Sequence, residues 1–213
     1  QAGATFAKKE DHSLLVSGNL AKDLYTVIAP TDLAGITGVL LEALADPALP
    51  MGGPGRAENG NFVLHELRLA VSAKADPGKQ ETVLLRGATA TFSQDSLPVG
   101  NAIDGNEGTG WAIHPQANKN HTATFETSKP IQVAGGALLT FTLNQQFPDG
   151  KHLLGRFRLS VTNSTVPFEK GALPAEVTAA LAVAADQRTP AQKQTLTTYF
   201  RSLDAGYRER TEA

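Results

Sequence analysis

The chain has 213 residues, 41% of them apolar and 19% charged, which supports one sizeable core or a core with a small appendage and excludes disorder. Its formal net charge of −2 brings no basic excess, which argues against a nucleic-acid partner. No apolar run approaches the roughly 18 residues of a membrane-spanning helix, and the absence of cysteine excludes disulfides, thiol catalysis, zinc–thiolate sites and Cys-x-x-Cys-His haem attachment.

Gln1-Ala-Gly-Ala4 has neither a basic nor an apolar leader pattern, so no signal peptide is expected and the chain reads as a piece of something larger. Thr5–Lys8 and Ser13–Ser17 read as strands joined by a hairpin at Glu10–His12, and Gly18-Asn19 breaks the pattern. Leu24–Ile28 alternates as a half-buried strand does. Ile36–Leu44 fits a strand or a short helix, and β-branched Ile36, Thr37 and Val39 favour the strand. Residues 46–61, rich in proline and glycine, form an irregular loop with Arg56, Asn59 and Asn61 as its polar residues. A binding loop and a solvated connection both remain open there.

Phe62–Val71 resumes strand character, with Val63, His65, Leu67, Leu69 and Val71 on one face and Glu66 and Arg68 on the other. Asp76-Pro-Gly-Lys79 reads as a turn before Thr82–Leu85, and Ala88–Phe92 leads into a loop at 102–111. Strands follow at His121–Glu126, Ala137–Leu143 and 156–162. Short strands with regular turn signals and no helix between them predict an antiparallel β-sandwich or jelly roll over residues 1–165. Residues 166–213 should hold a linker and two helices. The first is alanine-rich, Pro174–Ala185. The second runs from an N-cap at Thr189 and a first-turn Pro190 to about Ala205, with Gly206 as its stop. Val177, Leu181 and Ala184, then Leu196, Tyr199, Phe200 and Leu203, are the apolar stripes.

The loop at 102–111 concentrates three glycines, two acids, an amide, a hydroxyl and the only tryptophan. Glycine supplies positive φ, and Asp and Asn side chains bond their own backbone, so the turn gathers oxygens from Asp104, Asn106 and Thr109. Calcium takes about six to eight such oxygens. An ordinary hairpin turn anchored in the core by Trp111 fits the same residues. Beside it, Trp111, His114, Asn118, Asn120 and His121 supply the aromatic face and planar donors with which proteins hold sugars. Trp111 also fits a core plug, and His121 the mere start of a strand. No enzyme is expected: the five histidines form no ligand or catalytic motif, and no nucleophile elbow, phosphate loop or facing pair of acids stands out.

The run Ala-Ile-Asp-Gly-Asn-x-x-Thr-x-Trp at 102–111, after the Ala-rich strand Ala88–Ser93, resembles the opening loop of galactose-binding-like domains of the discoidin and coagulation-factor C type. Leu41–Leu44, Gly53–Arg56, Asn59–Glu66 and Gly155–Thr162 resemble a module of large planctomycete proteins that combine cytochrome c-type segments with domains of unknown function. The resemblance implies a structural calcium. Glu66, on a strand that looks like the family's closing strand in permuted order, would join Asp104, Asn106 and Thr109 as a ligand. It also implies a non-catalytic carbohydrate-binding module with its site at one end of the sandwich, formed by Arg56, Asn61, Trp111, His114, Asn120 and His121. The partners implied are a polysaccharide or oligosaccharide and other domains of an exported parent, placing it in an extracellular or periplasmic setting. The competing expectation is a spacer or protein-docking sandwich without a sugar ligand.

Overall fold

Where the sequence alternates with period two, the first 165 residues form strand. A computed structural model describes residues 3–165 and 175–203. The strands are β1 (Ala4–Lys8), β2 (Leu14–Gly18), β3 (Asp23–Thr31), β4 (Ile36–Ala43), β5 (Val63–Leu64) and β6 (Glu66–Ala73). They continue as β7 (Asp76–Val83), β8 (Leu85–Ala90), β9 (Trp111–Ala112), β10 (His121–Ile131), β11 (Ala137–Gln145) and β12 (Arg156–Thr162). Every pairing is antiparallel. One sheet runs β1-β2-β12-β4-β10-β8, a second runs β3-β11-β6-β7, and β5 with β9 makes a small third ladder. The result is an all-β antiparallel sandwich, as the sequence predicts.

The core lies between the two large sheets, where Leu139, Phe141 and Leu143 of β11 join Leu41, Phe125 and Phe157 of the other sheet. β4 is a strand and not a helix: Ile36, Val39 and Leu41 are buried, and β-branched residues pack well on a pleated surface. Two expectations need correction. The single strand expected over Phe62–Val71 is split at His65, because Val63 and Leu64 leave the sheet to pair with Ala112 and Trp111. The turn expected at Asp76–Lys79 lies inside β7. That strand is the edge of its sheet, where Pro77 withholds no needed ladder donor.

Residues 46–61 are irregular, with one short 3-10 turn at Pro50–Gly52, but they are no solvated loop. Residues 53–57 and 60–62 are all buried. Gly55 makes this packing possible: a Cβ there would lie 1.9 Å from the Asn61 carbonyl oxygen and 2.6 Å from the Phe62 nitrogen, both backbone atoms.

The chain divides into two units, Gln1–Pro167 and Phe168–Ala213, close to the expected boundary. The second contains α1 (Ala175–Leu181) and α2 (Pro190–Leu203). Val177, Ala180 and Leu196 form its small core with Tyr199 against them, while Phe200 and Leu181 are exposed. Thr189 caps α2 as expected: its hydroxyl accepts from the Gln192 amide, and the Gln192 side chain accepts from the Thr189 amide. The expected helix limits at Pro174, Ala205 and Gly206 lie outside the described residues.

Gly55→Ala should destabilise the sandwich by about 3 kcal/mol or more, because neither backbone neighbour can move away cheaply. Denaturant unfolding of the variant checks this, and a loss under about 1 kcal/mol would mean the segment relaxes easily.

Candidate cation site

Glu66 opens β6 on the outer face of the smaller sheet, opposite core-facing Leu67. Its cross-strand partner on β11 is Asn144, so the two side chains share that face. The 102–111 loop lies against Glu66. Asp104 closes the 3-10 turn Val99–Ile103, and Gly105 takes φ +77°, a left-handed conformation that glycine adopts freely. The Gly105 amide and the Asp104 carboxylate both lie close enough to the Glu66 carboxyl to act on it. Glu107 at the loop tip pairs with Arg68, the next outward residue of β6.

Oxygens crowd this corner. The Thr109 hydroxyl lies 3.1 and 2.8 Å from the two Asp104 carboxylate oxygens and 2.8 Å from the Asn106 carbonyl. One hydroxyl carries one proton, so it can satisfy only one of those acceptors. Asp104 also accepts from the Asn106 amide. Glu66 is 4% exposed and Asn144 2% exposed, and Glu66 Oε1 and Asn144 Oδ1 are buried without a hydrogen-bond partner. Burial, reinforced by Asp104, pushes the Glu66 carboxyl above its ordinary value, against the pull of the Gly105 amide and Arg68. Buried acceptors with no donor are costly, and a hard cation is one group that satisfies several at once. Among the described residues no three His, Cys, Asp or Glu side chains gather in one place. The donor set is two carboxylates with neutral oxygens, which suits calcium better than zinc.

All four predicted metal residues, Glu66, Asp104, Asn106 and Thr109, therefore meet at one corner. Asn144 is the member that sequence reading missed. Its sole signal was an amide on the polar face of a strand, which reads as solvent-facing until the pairing with Glu66 is known.

The six predicted sugar-contacting residues do not form a comparable surface. Trp111 is fully buried, its indole N–H donating to the Phe92 carbonyl (3.1 Å) and its ring edge-on to Phe62. It is a core plug, with no face for a pyranose ring. Asn61 is 4% exposed and acts as a staple, its Oδ1 accepting from the Ile113 amide and its Nδ2 donating to Gln94. Arg56, also buried, donates to the Gly18 and Asn19 carbonyls. His121 lies at the start of β10, 2% exposed, and donates to the Gln116 carbonyl. Asn120 is exposed, but its Oδ1 accepts from the Ala45 amide. His114 is exposed. Planar side chains that bond sugars well also bond backbone, and five of these six do the latter.

Comparison with known proteins gives no match: no family model, no curated protein and no solved structure matches the chain.

Trp111→Ala should lower stability by about 3–5 kcal/mol, the cost of removing a large buried aromatic side chain. Calorimetric or denaturant unfolding tests it, and a variant of unchanged stability would contradict the core assignment. The raised carboxyl gives a second expectation. In chelator, Glu66 contributes stability below its ordinary value of 4.5 that is lost as pH rises through its raised value. Glu66→Gln, which mimics the protonated form, should therefore match the native chain at low pH and exceed it at pH 7. Melting curves that fail to diverge with pH would refute this.

Proposed function

We propose that residues 1–165 are a non-catalytic, calcium-stabilised β-sandwich module of the galactose-binding-like kind, serving a larger exported protein. The observation that carries the proposal is the pair of buried, partnerless oxygens of Glu66 and Asn144 beside a loop already crowded with acceptors. Asp104, Glu66, Asn144, the Thr109 hydroxyl and the Asn106 carbonyl would hold the ion. Bound there, the cation neutralises two adjacent carboxylates and ties the loop to β6 and β11. Carbohydrate is the ligand class that the resemblance implies, and His114 and Asn120 are the exposed candidates left for it. The burial of Arg56, Asn61, Trp111 and His121 favours a second reading, a spacer or docking module with no sugar ligand.

Calcium at a hundredfold excess over its Kd should stabilise the sandwich by about 2.7 kcal/mol relative to chelator. Asp104→Ala should abolish that response, and Asn144→Leu should weaken it. Because the carboxylates must be ionised, the calcium response should shrink as pH falls toward 4.5. An identical melting curve in calcium and in chelator would overturn the cation assignment. A broad glycan panel screened in calcium separates the two ligand readings: saturable binding weakened by His114→Ala or Asn120→Ala supports carbohydrate, and silence across the panel supports docking.

A further inference from the structure

β12 is an interior strand of the six-stranded sheet, yet among the described residues most of one of its sides lacks a neighbour. On one side it pairs with β4 from Phe157 to Thr162, whereas on the other β2 reaches only Arg156 and Phe157. The Arg156 carbonyl points to β4, accepting from Leu44, and the Gly155 carbonyl points to β2, accepting from Val16. Strand alternation then directs the N–H and C=O groups of Leu159 and Val161 away from β4, into the space that β2 leaves empty.

That space borders a groove of about 490 Å³ between the sheets, floored by Val27, Phe141, Phe157, Leu159 and Val161. The charged residues lining it are Lys8, His12 and Arg158, all basic or protonatable to a cation, with no carboxylate among the lining residues. Arg158 is occupied by a bidentate pair with Glu42, at 2.6 and 2.8 Å. Lys8 and His12 have no ion-pair partner among the described residues and are exposed. Across the groove β3 carries Pro30, which lacks a ladder donor, so β12 offers the better edge.

We infer that this notch docks an extended polypeptide segment that alternates apolar residues with carboxylates and adds as a strand beside Leu159–Val161. Main-chain bonds to the free edge hold the segment extended. Its apolar side chains enter the groove, and its carboxylates meet Lys8 and His12. A helix cannot use the edge groups, and a basic strand meets like charge at the rim. The inference rests on the strand register and the groove, and does not depend on the cation site.

The test titrates the full chain with a peptide of about ten residues alternating valine and glutamate, and with its valine–lysine counterpart, reading amide hydrogen exchange. The glutamate peptide should saturably protect the Leu159 and Val161 amides, and the lysine peptide should not. Lys8→Glu combined with His12→Glu, both at exposed hairpin positions, should weaken protection about tenfold or more while leaving the melting temperature nearly unchanged. No protection by the glutamate peptide, equal protection by the lysine peptide, or an unchanged affinity in the charge-reversed variant would overturn the inference. Protection that appears without peptide and tracks self-association in sedimentation would overturn it in favour of a second copy.

Discussion

The antiparallel register of β11 with its neighbours is the constraint on which both the core and the candidate site depend. β11 pairs along its whole length with β3 and along eight residues with β6. That register turns Leu139, Phe141 and Leu143 toward the other sheet and Asn144 outward against Glu66. Strand faces alternate, so a slip of one residue would expose the apolar set and separate the two polar partners. The apolar face fixes the register through burial, and the polar corner inherits its geometry from that choice. No feature of the loop against Glu66 could assemble the corner if the sheet beside it were displaced.

Polar side chains do much of the structural work at the ends of the sandwich. Arg56, Asn61 and the Trp111 indole bond backbone groups that irregular segments would otherwise leave buried and unpaired. The segment at 53–62 can be buried without regular structure because its backbone bonds itself and neighbouring loops, as in Gly55 to Gly60, Arg56 to Leu153 and Gly155 to Pro54, and because Gly55 lets two backbone stretches touch. Tyr25 Oη, Ser72 Oγ, His121 Nδ1 and Gln145 Nε2 are also buried without a hydrogen-bond partner, and what distinguishes Glu66 Oε1 and Asn144 Oδ1 is that both are acceptors on residues paired across β6 and β11. A fold that supplies an acceptor to the Ile113 amide and a donor to the Gly18 carbonyl, but no donor to Glu66 Oε1, leaves room there for a cation to supply the missing charge.

The hairpin of β1 and β2 is pinned to β12 by charge. Asp11 accepts from the Ser13 hydroxyl and amide and pairs with Arg156, which also reaches Asp46. Bonded first by Ser13 and then by Arg156, the Asp11 carboxyl is held down at about 2. Arg158 donates to the Asp11 carbonyl, and this contact lies at the point where β2 ends and the open part of β12 begins. The same turn that anchors the hairpin thus limits how far β2 can cover its neighbour, and brings Lys8 and His12 to the edge of the uncovered groove.

Sequence alone determined the fold class, the strand character of β4, the outward face of Glu66 and the cap of α2, since each follows from local periodicity or from side chains bonding their own backbone. It also singled out the oxygens of Asp104 and Thr109, because an Asx-type turn is a local event. The division of planar donors into ligand-facing and structural was decided only in three dimensions: whether Arg56, Asn61 or His121 meets solvent or a buried carbonyl depends on which distant segment lies opposite. Trp111 was compatible with either role until Phe62 and the Phe92 carbonyl closed around it. Asn144 became part of the corner through a partner 78 positions away in the chain, at Glu66, and the uncovered side of β12 arose through the length of a strand near the other terminus. Pairings of that range are set by how apolar faces pack together, and no local pattern in one sequence encodes them.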